Sequence, residues 1–311
     1  MPDVRSVPLT IPKLVSEPLI TPLRTAGRAP RVLTVDLEDW FHVCGDGYYS
    51  DPRRWDSFVP RVEETFLGLL EMLRRGGHRA TVFVLGWIAR RHPDLVARAA
   101  ADGHEIGVHG DLHRRADEMT AAEFRDDLRR SRDSVEAASG LRSVSHRAAE
   151  WSIRSPGAGA LVFAALAQEG FGCDASMMPV PPLGESGNPA GPCRIGRDGW
   201  SLLELPPLSG RALGVRLPLG GAWPFRLLPE SRLAAAEDRA RSTGIPAIFT
   251  IHPWELDGAG HPPMDGLPAI LRTVHFAGLR RFPERFRRWL SREPTVALSD
   301  AAARLVPARP A

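Results

Sequence analysis

Cysteine, lysine and long apolar runs are what this 311-residue chain is short of. Its three cysteines, Cys44, Cys173 and Cys193, are too few and too irregularly spaced for a zinc ribbon, and an odd count does not suggest a disulfide framework. A reducing compartment is the simplest fit. Lys13 is the single lysine, so the net charge of +3 and the pI near 9.1 rest on arginine. That usage says little about partners, and no nucleic-acid binding is inferred from it. No run of about 18 apolar residues exists, so no transmembrane helix is expected. Residues 1–30 carry Pro8, Pro12, Pro18, Pro22 and Pro30, and Lys13 and Glu17 interrupt what would otherwise be a signal-peptide core. This stretch reads as an extended arm, and the cytoplasm as the expected location.

The remaining composition, 43% hydrophobic and 25% charged, is that of a soluble globular protein with room for one large α/β core. Residues 103–115, GHEIGVHGDLHRR, are the most informative. Ile106 and Val108 alternate with Gly107 as in a short strand, Gly110 breaks it, and His109 and His113 follow four residues apart. Two imidazoles so placed can converge on one cation, and a carboxylate from elsewhere would complete a hydrolytic metal site with open positions. Two unrelated loop histidines would leave the same local pattern, so the pair gains meaning only from the rest of the chain.

Strand and helix signals alternate throughout. Residues 32–35 read as a buried strand whose carboxyl end is loaded with Asp36, Glu38 and Asp39. Helical spacing covers 60–75, a second apolar strand 80–86, and a short helix 92–101 with Pro93 in its first turn. Thr120 with Glu123 opens a long helix that Gly140 closes. A strand over 141–146 delivers Arg147, with Trp151 four residues on. A helix over 158–169 leads to a strand ending at Asp174 and Ser176. The Pro/Gly-rich stretch 179–199 reads as a long surface loop, and 202–205 as a strand. Residues 210–228 lead into a helix over 229–242, and the strand 245–252 ends on His252. Residues 279–290 alternate arginine with Phe, Trp and Leu at helical spacing. That pattern suits a membrane-surface helix or, given Pro283, a helix docked on the core. Residues 295–298 read as a last strand.

Asp36, His109, Arg147, Asp174 and His252 thus each stand just past an apolar run. In an α/β barrel the carboxyl ends of all strands meet on one face, where chemistry sits.

Taken together, TVDLED, HGDLH, HRAAEW, CDAS and TIHPWE resemble the polysaccharide deacetylase family, the NodB-homology or carbohydrate esterase 4 group, over residues 32–257. TVDLEDWFHV and IHPWELD are most similar to members of exopolysaccharide loci. The resemblance implies a distorted (β/α) barrel spanning 31–300, with a catalytic core over 32–257 and a C-terminal helical extension over 265–300. It implies one divalent metal, zinc or else cobalt or nickel, and removal of an acetyl group from an N-acetylated sugar. By motif, Asp36 matches the base, and His109 and His113 match two metal ligands. The aspartate ligand that often follows the base is Leu37 here, so the carboxylate becomes Glu38, on the same side of the strand as Asp36, with Asp39 as fallback. Arg147 matches the arginine that pairs with the base, although the family's proline two residues later is Ala149.

His252 would protonate the departing amine, with Asp174 holding it charged, and Trp151, Trp223 or Trp254 would offer flat faces to sugar rings. The expected partner is an N-acetylated glycan or a lipid-linked oligosaccharide met at the inner membrane face. Two other readings stay open at this point: an allantoinase-like hydrolase of a small or cyclic amide, and a catalytically silent carbohydrate-binding protein.

Overall fold

The computed structural model describes residues 18–43, 47–181, 183–197, 199–212 and 215–307. In chain order the first half comprises β1 (Leu19–Thr25), β2 (Arg31–Leu37), α1 (Val62–Arg75), β3 (Thr81–Val84), α2 (Gly86–Arg91), α3 (Pro93–Ala101), β4 (Glu105–Val108), α4 (Ala121–Ser139), β5 (Ser145–His146) and α5 (Ala160–Gln168). The second half comprises β6 (Cys173–Asp174), β7 (Cys193–Arg197), β8 (Trp200–Glu204), β9 (Gly210–Ala212), β10 (Val215–Leu217), α6 (Ala222–Leu227), α7 (Glu230–Ser242), β11 (Ala247–Ile251), α8 (Ala269–Phe276), α9 (Phe282–Leu290), α10 (Leu298–Ala302) and β12 (Leu305–Pro307). Ten strands form one sheet in the order β11-β2-β3-β4-β5-β6-β8-β7-β1-β12, and β9 and β10 form a separate hairpin. From β11 to β8 every neighbour is parallel. This curled sheet with its helices is the distorted (β/α) barrel expected.

Strand periodicity sorts β2 into two environments. Leu33, Val35 and Leu37 enter the main core with Phe66, Leu69 and Leu73 of α1. Val32 faces the barrel interior with Phe83, Cys173 and Ile248, where Leu298 and Ala301 of α10 plug the amino ends of the strands. One layer up, Thr34 Oγ1 and Thr250 Oγ1 lie 2.9 Å apart. The next inward position on each strand is Asp36 and His252. The interior therefore passes from apolar to hydroxyl to charged along two adjacent strands, and the chemistry collects at the carboxyl ends.

Helix ends follow local signals. Thr120 and Glu123 form a reciprocal capping box on α4, and Gly140 ends it at φ 68°. The N-terminus of α1 is capped from a distance: the Asp39 carboxylate accepts the backbone N–H groups of Arg61 (2.8 Å) and Val62 (3.0 Å).

Two expectations are corrected, those over 179–199 and 295–298, and two stretches are refined. The arm expected over 1–30 contains a sheet strand, β1. Pro22 does not break it, because Leu19 to Pro22 pair with β7 while Leu23 to Thr25 pair with β12, so proline's missing N–H is not needed on the other side. The rest of that stretch, residues 1–17, lies outside the described residues, as does Cys44. The loop expected over 179–199 holds β7, whose Cys193 and Ile195 are buried by pairing with β1 and β8. Of the strand expected over 295–298, only a bridge from Val296 to Val32 forms, and Leu298 begins α10. In 279–290 the helix starts at Phe282, which puts Pro283 in its first turn, and Phe282, Phe286, Trp289 and Leu290 are all buried. That helix spends its apolar face on the core. No helix among the described residues is long and apolar enough to cross a membrane.

Candidate active site

Two carboxylates rise from the end of β2 into a cavity of about 470 Å³. Glu38 Oε1 stands 2.9 Å from His109 Nε2 and 3.0 Å from His113 Nε2, and all three residues offer ligand atoms within 4.8 Å of one another. His109 follows β4 directly, and its Nδ1 lies 2.8 Å from the Arg147 carbonyl oxygen. With the Nδ1 proton donated there, Nε2 is turned toward Glu38, donating to it when the ring is charged and offering a lone pair to a cation when it is neutral. Burial alone would raise Glu38, yet the imidazoles of His113, His252 and His109 outweigh it and hold the carboxyl well below the usual range. One anionic oxygen and two imidazole lone pairs pointed at a shared centre suit a divalent cation.

The backbone is bent to make this possible. Gly110, at φ 79°, turns the chain between the two histidines, and His113 itself adopts φ 52°. Glu150 and Trp151, at φ 53° and 51°, are the other non-glycine residues in the left-handed region among the described residues, and both line the same cavity. Such strain concentrates where a site must be held in place. Gly107 faces the interior on β4, where a Cβ would come within 2.7 Å of the Phe83 ring, over which the Arg147 guanidinium is stacked.

Beside the His/Glu cluster, Arg147 Nη1 donates to Asp36 Oδ1 at 2.8 Å and to Thr34 Oγ1 at 2.9 Å. The other Asp36 oxygen, Oδ2, lies 3.9 Å from His252 Nε2 and 4.0 Å from His109 Nε2. The Nδ1 of His252 is 3.1 Å from Glu255 Oε2, and Glu255 is buried. Burial pulls His252 down, but the carboxylates of Glu38, Glu255 and Asp36 more than offset it and bring the imidazolium up to about 9.

The structure thus brings Asp36, Glu38, His109, His113, Arg147 and His252 together, with Trp151, Trp223 and Trp254 on the walls. Trp254 stacks on His275 at 4.4 Å and lies nearly parallel to His252 at 5.3 Å, so protein imidazoles share its faces. Asp174 is the exception. The sequence pattern assigns it to His252, but its Oδ1 is 2.7 Å from His146 Nδ1 and accepts from Ser176 Oγ at 2.7 Å. Asp174 points behind the cavity because on β6 it is in register with His146, Val108, Val84 and Leu37, the row that faces the outer core, while its neighbours Cys173 and Ala175 face the barrel interior. Beside it is a buried Glu204. Burial and then Asp174 push that Glu204 carboxyl well above the usual range. Glu255 occupies the place expected for Asp174. Asp39, the fallback ligand, is committed to the N-terminus of α1.

Sequence reasoning missed two residues of the cavity. His42 is buried, accepts the Asp39 N–H on Nδ1 at 2.9 Å, and lines the cavity with an Nε2 that finds no hydrogen-bond partner. Burial pushes it down to about 3, so it stays a neutral donor. His275 arrives from α8. Neither ends a strand, so the pattern that singled out the others passes over them; the only local signal for His42 is its place four residues after Glu38.

Residues 55–156 match the family model described as polysaccharide deacetylase, and residues 175–301 match a domain of unknown function, DUF3473. No curated protein matches the chain. Among solved structures, a candidate polysaccharide deacetylase from Mycobacterium smegmatis superposes at a TM-score of 0.57 with 19% identity, covering 92% of this chain and 99% of that one, and shares its fold. A carbohydrate esterase 4 pseudoenzyme from Bacillus anthracis gives 0.47 at 12% identity over 88% of this chain and 65% of its own. A peptidoglycan deacetylase from Bacillus subtilis gives 0.46 at 14% identity over 89% and 91%. Residues 55–156 thus carry a polysaccharide deacetylase domain of the NodB-homology or carbohydrate esterase 4 group, whose enzymes are hydrolases acting on carbon–nitrogen bonds other than peptide bonds.

Proposed function

We propose that this chain is a metal-dependent deacetylase that removes acetyl groups from an N-acetylated sugar during exopolysaccharide biosynthesis. It would meet its glycan in lipid-linked form at the cytoplasmic face of the inner membrane, a placement that cell fractionation tests. The observation that carries the reading is the convergence of His109 Nε2 and His113 Nε2 on Glu38 Oε1, directly beside the Asp36–Arg147 pair and His252. A bound divalent ion, with zinc expected and cobalt or nickel accommodated, would polarise the acetamide carbonyl and acidify a water.

Glu38, His109 and His113 would hold that ion, with the His109 ring kept in orientation by its bond to the Arg147 carbonyl. Arg147 holds one oxygen of Asp36, which leaves Oδ2 turned inward to accept the proton of the attacking water. His252, charged and anchored through Nδ1 to Glu255, would donate from Nε2 to the departing amine, since an amide nitrogen leaves poorly without a proton. Trp151 and Trp254 would bound the sugar, their faces and edges setting its orientation. Asp36 Oδ2 and His252 Nε2, 3.9 Å apart on the same wall of the cavity, would act as base and acid in turn.

The test is acetate release from N-acetylated oligosaccharides by metal-stripped protein, before and after zinc or cobalt is added back, with His109→Ala alongside. Release that returns with metal and is lost in the variant is the expected result. Stoichiometric metal without release from any sugar would overturn the substrate, and no metal uptake would overturn the site.

A further inference from the structure

The helix that the sequence marks as basic and amphipathic, α9, is consumed by the core, yet another helix leaves its apolar face bare. In α8 no residue is buried, and Ile270 is 79% exposed, with Leu271 and Val274 beside it on the same face. The neighbouring helix α6 adds Trp223 and Leu227, one turn apart and both exposed. The two helices are joined: Arg226 Nη2 donates to the Val274 carbonyl at 3.1 Å, and the Leu227 side chain packs against Gly278. On the far side of Trp223, Val215 of β10 is 61% exposed. Val215, Trp223 and His275 also line the catalytic cavity, so this apolar strip begins at its mouth.

Charge in the segments that form the strip is mainly positive. Residues 205–229 contain Arg211, Arg216 and Arg226 and no carboxylate, and residues 266–283 contain Arg272, Arg280 and Arg281 and none. Arg226 is buried against Glu255, and Asp265 pairs with Arg272; the exposed Arg280 and Arg281 add positive charge to this face. Two copies of this chain meeting face to face would set arginine against arginine, which argues against self-association. Exposed aliphatic and tryptophan side chains in segments whose charge is mainly arginine match an interfacial helix on an anionic surface.

We propose that this face, formed by α8, the outer side of α6 and β10, docks on a bilayer containing anionic phospholipid and presents the cavity to glycan carried there. The role of the docked enzyme rests on the deacetylase reading, but docking itself is measured without it. Full-length protein is mixed with vesicles of phosphatidylcholine alone or with phosphatidylglycerol, and the bound fraction is read by flotation. The expected result is binding to the anionic vesicles that weakens with salt. Paired substitution Ile270→Glu with Val274→Glu is expected to lower it about tenfold or more. Arg280→Glu with Arg281→Glu should lower it about fivefold or more for each charge lost. Thermal stability and acetate release from a soluble oligosaccharide should stay at wild-type level in both. Absence of binding, equal binding to neutral vesicles, insensitivity to both substitutions, or a concentration-dependent dimer abolished by them would each overturn the proposal. Loss of acetate release from every sugar with vesicle binding intact would overturn the deacetylase reading instead.

Discussion

Asp36 and His252 divide the proton traffic at the residue scale, and each makes a separate prediction. Asp36→Asn keeps the shape and the contact to Arg147 but cannot take a proton, so acetate release should fall about a hundredfold or more while metal stoichiometry stays unchanged. Comparable loss of metal would instead make Asp36 a ligand. His252 works as the imidazolium, so activity should decline as pH rises through its pKa, and the stability that its charge adds, fully present below about 6.5, is lost as pH rises through about 9. A divalent ion held at Glu38 would draw that pKa downward. Glu255→Gln removes one carboxylate holding the proton, so the alkaline limb of the kcat profile should move to lower pH by about a unit. A limb that does not move would release Glu255 from that role.

The elements assign the two neighbouring acids of β2's end to different work. Glu38 points into the cavity, while Asp39 serves the N-terminus of α1 by accepting the backbone N–H groups of Arg61 and Val62, and also accepts that of Trp40. Asp39→Ala should therefore cost about 1 to 2 kcal/mol of stability, seen as a lower urea midpoint, and leave metal binding intact. Glu38→Ala should do the reverse and abolish stoichiometric zinc uptake in a calorimeter. Helix propensity does not decide this division; the position of α1 across the end of β2 does.

For the whole molecule, the cluster joins two strands and the turn after β4, so an ion held there ties together segments distant in sequence. Binding to the folded state alone stabilises it by about 2.7 kcal/mol at a hundredfold excess over Kd. Chelation should therefore lower Tm by several degrees, and His113→Ala should remove that dependence on chelator. An unchanged Tm would mean that the cluster holds no ion tightly.

Much of this is legible without a structure, because period and position are local. The alternation in β2, the turn glycine at Gly110, the capping box at Thr120 and the strand-end placement of Asp36, His109, Arg147 and His252 are all written in neighbouring residues. Tertiary packing decided what neighbours cannot encode. Asp174 went to His146 and left His252 to Glu255, because which face of the sheet a strand-end residue takes depends on the register with its neighbours. Residues 19–25 became a strand because β7 and β12 offered it edges, and 193–197 became a strand for the same reason. The spacing of arginine and aromatic side chains in 279–290 allows a surface helix, and only Pro283 favours the docked one. Burial went to α9 and exposure to α8, since only the packed fold determines which apolar faces find a partner.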